Sequence, residues 1–501
     1  MTTSRVTTGA VVGIDGHLVT VECSRARGAS GLTIIGLREA AERETRIRVR
    51  SALAQCGVEP SAPGIDVNVT GAQRGSACDL AVALAIVALD DATVREQLAH
   101  TLVLGELALS GELRVVRGVY AILRDNVAIN GRVILPWSNA SEAHDMASTL
   151  DVRPARNLSE VLAYLRGKGD LARLTAPDSL PELRDEPDLA DVRGQHAAVR
   201  ALEIAATGGH HLLLVGAPGA GKTMLARRVP ELLPPLPSYL ASSIQQIGSA
   251  AGFEPRGPTR RPFRAPHYTA SEIAMVGGGD PVRPGELTLA HGGVLMLDEL
   301  PEWRRTVLDA THRVIESGEA RVQRKGELVT MYARPLVVGA MNACPCGFQG
   351  DPTRVCACTS ERVAAYRERI ARILPLFSMA VRLQPTSLAD LRGPKGDTSS
   401  ADVRARVTAA REYAVKRGGH DPDATVRPSD LRATLGTLSG LNAPARTLLS
   451  RATDAGTVDT ATSRHVLAVA RTIADLAAAP EIGAEHLAEA LNLTVRAALG
   501  S

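Results

Sequence analysis

The stretch Leu212-Leu-Leu-Val-Gly-Ala-Pro-Gly-Ala-Gly-Lys-Thr-Met-Leu-Ala-Arg227 carries, in order, a short apolar run, a glycine-rich turn and a helix start. The run Leu212–Val215 suits a strand buried on both faces, as in a parallel sheet. Gly216–Thr223 then follows the spacing of a phosphate-binding loop in the strand–loop–helix context that such a loop requires. Its glycines let successive backbone N–H groups wrap an anion at the start of a helix, where the partial charge is positive. The nucleotide contacts expected are Gly216, Ala217, Pro218, Gly219, Ala220, Gly221, Lys222, Thr223 and Met224. Lys222 is placed to reach the β- and γ-phosphates of ATP, and Thr223 to ligate Mg²⁺.

Outward from this loop, Gly293-Val-Leu-Met-Leu-Asp-Glu299 reads as a second buried strand that ends in two carboxylates. Asp298 suits Mg²⁺, and Glu299 suits activation of an attacking water. A third apolar strand, Leu336–Met341, ends at Asn342, whose amide suits orientation of the same water. Lys222, Asp298, Glu299 and Asn342 are therefore the expected catalytic set. Just beyond lie Cys344-Pro-Cys346 and Cys356-Ala-Cys358, so four of the seven cysteines fall within fifteen residues. Four thiolates in one loop can close a tetrahedral shell around a structural Zn²⁺ and leave no position for water. Cys23, Cys56 and Cys78 read as small buried hydrophobes.

The composition sets the outer limits. With 501 residues, 45% hydrophobic and 22% charged, the chain can bury several cores, and with 3% aromatics those cores rest on Ala, Val, Leu and Ile. Lys and Arg number 57 against 54 Asp and Glu, a net charge of +3, so a nucleic-acid site would be a local basic feature. No apolar run of about 18 residues is present, and the N-terminal residues lack a signal-peptide pattern. Together with the clustered cysteines, this gives a cytoplasmic expectation with no membrane partner. The texture divides the chain into an α+β region 1–170, a polar linker 171–190, an α/β core 191–385 and a helical region 386–501.

Ala320–Met331 alternates around Lys325-Gly326 and reads as a β-hairpin just before the third strand. Arg321, Arg324 and Lys325 either grip DNA phosphates there or form a solvated basic turn. A second basic series, Arg362, Arg367, Arg369, Arg372 and Arg382, is a further candidate for a pore or a subunit interface. Phosphate grip by either carries little sequence preference.

Phe263-Arg-Ala-Pro-His267, Val276-Gly-Gly-Gly279, Arg283-Pro-Gly-Glu286, Ala290-His291 and Leu297-Asp-Glu-Leu-Pro301 resemble the magnesium-chelatase-like AAA+ ATPases, in particular the YifB/ComM branch. Gly31–Leu37, Gly105–Gly111 and Val469–Leu476 extend the resemblance over nearly the whole chain. It implies a P-loop AAA+ parallel α/β core, a helical C-terminal lid, and an ATP-driven ring, usually a hexamer. For the ComM type it implies a DNA helicase that drives branch migration. It also raises the zinc reading, because the family has paired cysteines at the same place.

The N-terminal region, with Gly75-Ser76 before an Ala-rich helix Ala77–Leu89, resembles the Lon-protease/S5-like fold. A Ser–Lys dyad needs a lysine base. Tyr120 occupies the position where that lysine would fall, and the first lysine of the chain is Lys168. Ser76 therefore reads as a cap or surface hydroxyl, and proteolysis is not expected.

Two departures from the family bear on turnover. The family's Asp-Arg pair after the cysteine loop is absent from Ile370–Ala380, leaving Arg369 or Arg372 as substitutes for a finger acting on a neighbouring subunit. Ala461 stands where the family has a lid arginine, with Arg464 nearby. The expectation is an ATP-binding, ring-forming DNA motor; the alternative is a nucleotide-binding assembly or regulatory paralogue with weak or no hydrolysis.

Overall fold

The computed structural model describes residues 3–26, 31–58, 64–71, 78–126, 131–175, 187–253, 260–324, 326–351, 354–385, 396, 398–419, 421–423 and 440–500. Ser76 and Lys325 lie outside the described residues, as do most of the linker and residues 394, 395 and 397 of the loop Pro394–Ser400.

The first region is a seven-stranded mixed sheet. Its strands are β1 (Thr3–Val12), β2 (Asp15–Arg25), β3 (Leu32–Ile35), β4 (Ile65–Gly71), β5 (Thr101–Val103), β6 (Arg132–Pro136) and β7 (Asp151–Ala155), in the spatial order β3-β4-β2-β1-β5-β6-β7. The β2 strand pairs antiparallel with both neighbours, and the remaining pairs are parallel. Helices α1 (Glu39–Gln55), α2 (Asp79–Ala88) and α3 (Val119–Asp125) pack on this sheet. Every residue of α2 is buried, as its unbroken Leu-Ala-Val-Ala-Leu-Ala-Ile-Val-Ala run demands. The exception in chemistry is Asp79, whose carboxylate is held by Arg48 at 2.6 Å, Thr45 at 2.8 Å and the Leu107 N–H at 3.2 Å.

After helix α4 (His196–Gly208) comes a five-stranded, all-parallel sheet. It is built from β8 (Leu212–Val215), β9 (Phe263–Arg264), β10 (Val294–Leu297), β13 (Leu336–Met341) and β14 (Met379–Arg382), in the order β9-β10-β13-β8-β14. The strands β8, β10 and β13 are buried at every residue, which is why they read as continuous apolar runs. The β8 strand lies between two strands that come later in sequence, so the loop that follows it opens into a crevice at the carboxyl edge of the sheet. Gly339 in β13 has a structural reason: a Cβ there would sit 2.6 Å from the Phe377 ring.

The helix that starts at the loop after β8 is interrupted. It runs only Lys222–Ala226 (α5) and resumes as Val229–Leu232. Pro230 explains the break, since its ring has no N–H to give and clashes with the carbonyl four residues earlier. Beyond it, α6 (Ser238–Ala251) packs on α3 of the first region. There Ser249 bonds the buried Glu142 carboxylate and receives the Ala121 N–H, so the two sheets share a polar seam. The hairpin β11 (Glu319–Arg324) and β12 (Glu327–Tyr332) forms with Arg324 opposite Glu327, as its alternation predicts. Its inward Val329 lies against Gly13 of the β1–β2 turn.

Helices α7 (Arg305–Ser317) and α8 (Ser360–Glu368) flank the core. A helical C-terminal region follows, of α9 (Ser400–Lys416), α10 (Ala443–Asp454), α11 (Thr460–Leu476), α12 (Ala484–Asn492) and α13 (Val495–Leu499). The carboxylate of Asp423, gripped by Arg261 at 2.6 Å and by Arg411 at 2.9 Å, pins it to the core. No described helix is long and apolar enough to cross a membrane.

Candidate nucleotide site

The phosphate-binding loop begins where β8 is tied on both sides. The Gly216 N–H donates to the Met341 carbonyl at 3.2 Å, and the Leu383 N–H donates to Val215 at 2.8 Å. Gly219 and Gly221 adopt φ of 79° and 90°, left-handed values that glycine reaches without a Cβ penalty. Ala220 is buried beneath them. The turn thus leaves the Lys222 ammonium folded across the loop. It donates to the carbonyls of Gly216 (2.8 Å) and Ala217 (2.9 Å) and to Asn342 Oδ1 (3.1 Å). Partial burial lowers its pKa below the ordinary lysine value, while Asp298 and Glu299 pull the other way.

Opposite stand the acids. Thr223 Oγ1 donates to Asp298 Oδ2 at 2.8 Å, so the two side chains suited to a magnesium ion already meet. Asp298 Oδ1 accepts the Glu299 N–H at 2.9 Å, and its carbonyl accepts the Trp303 indole N–H at 2.9 Å. Glu299 is solvent-exposed and has φ of 50°, a strained left-handed conformation for a residue with a side chain. Such strain costs about 1–3 kcal/mol and persists where the surroundings impose it. Lys222 is joined directly to Asn342 and Thr223 to Asp298, and Glu299 is joined to Asp298 through its own amide. Met224 is exposed, with its methyl close to Gly221.

Three supports escape a reading of the sequence. Trp303, one of only two tryptophans, fixes the Asp298 backbone. Tyr366 of α8 bonds the Asn342 backbone, and burial raises its hydroxyl pKa to about 12. Gly347 packs on Pro218. Only Trp303 leaves a sequence trace, five residues after Asp298.

The four cysteines meet as expected. Their sulfurs lie within 4.8 Å of one another, with 3.4 Å between Cys344 and Cys346 and 3.6 Å from each to Cys356. The Gln349 N–H donates to Cys344 Sγ (3.3 Å) and the Cys358 N–H to Cys356 Sγ (3.4 Å). Backbone donation from Phe348 and Ala357 lowers the Cys346 thiol to about 6. The donor set fits Zn²⁺ in number, softness and spacing. Cys23 and Cys78 are buried as expected, whereas Cys56 is only half-buried.

The basic residues divide. Arg321 is paired with Glu319 of its own strand at 2.9 Å, and Arg324 is exposed near the hairpin tip. Arg367 and Arg382 turn inward: Arg367 bonds Gln349 Oε1 and the Leu499 carbonyl, and Arg382 bonds the Gln349 carbonyl. These two hold the cysteine loop. Arg369 pairs with Glu302 at 3.5 Å and Arg372 with Asp309 at 3.2 Å. Ala461 and Arg464 are both exposed on α11, and Tyr120 is buried. Arg264 and Glu286, from two separate motifs, form a two-pronged ion pair at 2.7 Å.

The parallel sheet and its loop define an ATP-binding AAA+ protein of the magnesium-chelatase kind. The family model for magnesium chelatase, subunit ChlI, matches residues 188–390; those for subunit ChlI of Mg-chelatase and for the ChlI C-terminal part match 21–139 and 397–494. The protein YifB of Escherichia coli is 38% identical over 511 residues, covering 98% of this chain and 97% of YifB. The competence protein ComM of Haemophilus influenzae is 35% identical over 495 residues, 96% of this chain and 95% of ComM. The chain belongs to this YifB/ComM branch. Lon protease 2 of Bacillus subtilis is 30% identical over 136 residues, 25% of this chain.

Proposed function

We propose that the chain is an ATP-driven DNA motor of the ComM kind, assembled as a ring, with six subunits as the expected number. The observation that carries this reading is the convergence of Lys222, Thr223, Asp298 and Asn342 around one loop. Lys222 exchanges its carbonyl partners for the β- and γ-phosphate oxygens, which bear full charge. Thr223 and Asp298 would hold Mg²⁺, whose charge offsets that of the phosphates. Asn342 orients a water and Glu299 takes its proton as the oxygen bonds to the γ-phosphorus. The bond to the bridging oxygen then breaks, giving ADP and phosphate. Cys344, Cys346, Cys356 and Cys358 would hold a structural Zn²⁺.

The division into 1–170, 171–190, 191–385 and 386–501 belongs to the same proposal. Region 1–170 is a Lon/S5-like assembly unit without protease chemistry, 171–190 is a linker, 191–385 is the motor core and 386–501 is its lid. Arg321, Arg324 and Lys325 supply a phosphate grip without sequence preference.

A second reading, a slow nucleotide-binding switch, is favoured by Ala461 and by the ion pairs that occupy Arg369 and Arg372. ATP turnover measured with and without branched DNA separates the two. The motor gives DNA-stimulated turnover that drops by about 10²–10³ or more in Lys222→Ala, the scale for losing one preorganised charge donor. Retention of ATP without turnover, with or without DNA, selects the switch.

A further inference from the structure

We infer that the four-cysteine loop is a brace on the phosphate-binding loop, so that metal capture by the cysteines and nucleotide binding are thermodynamically coupled through Gly347. The inference rests on the nucleotide-binding reading above and adds a positioning role to residues outside the loop.

The connection is continuous in the chain and closed in space. From Asn342, which accepts from Lys222, only Ala343 intervenes before Cys344. The turn Cys344–Gly347 is closed by the Gly347 N–H on the Cys344 carbonyl at 2.9 Å. Gly347 has φ of 85° and is buried, and a Cβ there would fall 2.5 Å from Pro218 Cδ and 3.1 Å from Cγ. The backbone of the cysteine turn therefore lies flush on the proline of the phosphate-binding loop. Its far side is bolted to β14. Arg382 bonds the Gln349 carbonyl, its guanidinium lies over Gly350, and it stands opposite Val215, the last residue before the loop. The cysteine loop thus bridges both strands that flank β8, running on from β13 and held to β14 by Arg382.

The Gln349 amide donates to Cys344 Sγ, so the sulfur cluster sets the geometry of the segment that touches Pro218 and Arg382. A metal site rarely exists preformed in a loose chain, and binding energy becomes ordering energy in the segment that supplies the ligands. If that segment positions the phosphate-binding loop, zinc and nucleotide must each raise the affinity of the protein for the other by one common factor. Gly347 is the positioning residue through which the factor passes.

The test uses the full chain. ATP affinity is measured with a fluorescent ATP analogue on zinc-loaded and chelator-stripped protein, and zinc affinity by competition with a chromophoric chelator, with and without saturating ATP. Removal of zinc is expected to weaken ATP about tenfold, and ATP to tighten zinc by the same factor. Gly347→Ala should keep one zinc per chain, lose about tenfold in ATP affinity, and make the remaining affinity indifferent to zinc. Adding Pro218→Ala to that variant should recover part of the loss by removing the clash, an effect that a general packing defect would not produce. Equal zinc affinity with and without ATP overturns the brace, as does a Gly347→Ala protein that binds ATP like wild type. If stripped protein unfolds, the Gly347 variants, which retain zinc, still decide. A zinc-loaded wild type that binds no ATP removes the nucleotide reading itself, a different result from unlinked binding of both.

Discussion

Two faces of the molecule are held together differently. The half around Lys222 is fixed by bonds to backbone as well as between side chains: Lys222 lies on two carbonyls and Asn342, Thr223 on Asp298, and Asp298 on the Glu299 amide and the Trp303 indole. The face carrying Arg369 and Arg372 is held by side chains alone, through ion pairs at 3.5 and 3.2 Å with guanidinium groups half exposed or more. Exposed pairs of this kind contribute about 0–1 kcal/mol each. The first half is tied together within one chain, whereas the arginines of the second can leave their carboxylates at little cost. Under the motor reading, an arginine released in this way engages a neighbouring subunit.

The sharpest way to break that contrast is to remove the lendable charges. Under the motor reading, Arg369→Ala or Arg372→Ala lowers ATP turnover about 10³-fold or more, the lower range measured for arginine fingers, with nucleotide affinity kept. Mixing that variant with Lys222→Ala subunits should restore turnover, because intact sites form where an intact loop meets an intact arginine. Turnover within tenfold of wild type for both single variants would leave the face with no catalytic part. Next in size is Glu299→Gln, which keeps the shape and the exposed position but cannot take a proton. Loss of a general base costs about 10²–10⁴ in rate, so this variant should hold ATP and accumulate in the assembled form by light scattering. Assembly no better than wild type would argue against a nucleotide clasped between subunits.

The first half was also the more legible one in the sequence, and for the same reason. A phosphate-binding loop needs particular backbone conformations at fixed spacing, so its glycines, Lys222 and Thr223 announce it locally, and Leu212–Val215 forms its strand as read. Asp298 and Asn342 announce themselves as polar ends of apolar strands. What stayed hidden depends on residues distant in sequence. Gly347 meets Pro218 across more than a hundred residues, and Tyr366 reaches Asn342 from another helix. Arg367 and Arg382 read as candidates for a pore or a subunit interface because nothing nearby in sequence shows that they hold Gln349. The sheet order escaped for the same reason, since the apolar pattern of a strand buried on both faces carries no information about its neighbours.

The smallest effect separates the two halves by pH. His291 precedes β10, the strand that leads into Asp298, and its Nδ1 accepts the Arg334 N–H at 3.3 Å while its ring stacks on Tyr332 at 5.7 Å. Burial, with a lesser push from Arg334, lowers its pKa from 6.5 to about 4. Above pH 6.5 the ring is neutral in both folded and unfolded chains, and its contribution is intact. As pH falls below that value the unfolded chain takes up a proton that the folded one refuses, so stability drops by about 1.4 kcal/mol per pH unit until the folded value is reached. Urea unfolding should therefore show a loss of about 2 kcal/mol from this ring between pH 6.5 and 5. His291→Gln, which keeps an acceptor but does not titrate there, should remove that part of the slope. The ion pairs of the arginine face, Arg369–Glu302 and Arg372–Asp309, contain no histidine, so this loss belongs to the core beneath the nucleotide site. An unchanged slope in His291→Gln would place the acid sensitivity in other histidines that burial lowers, among them His210 and His211, held at about 3 and about 4.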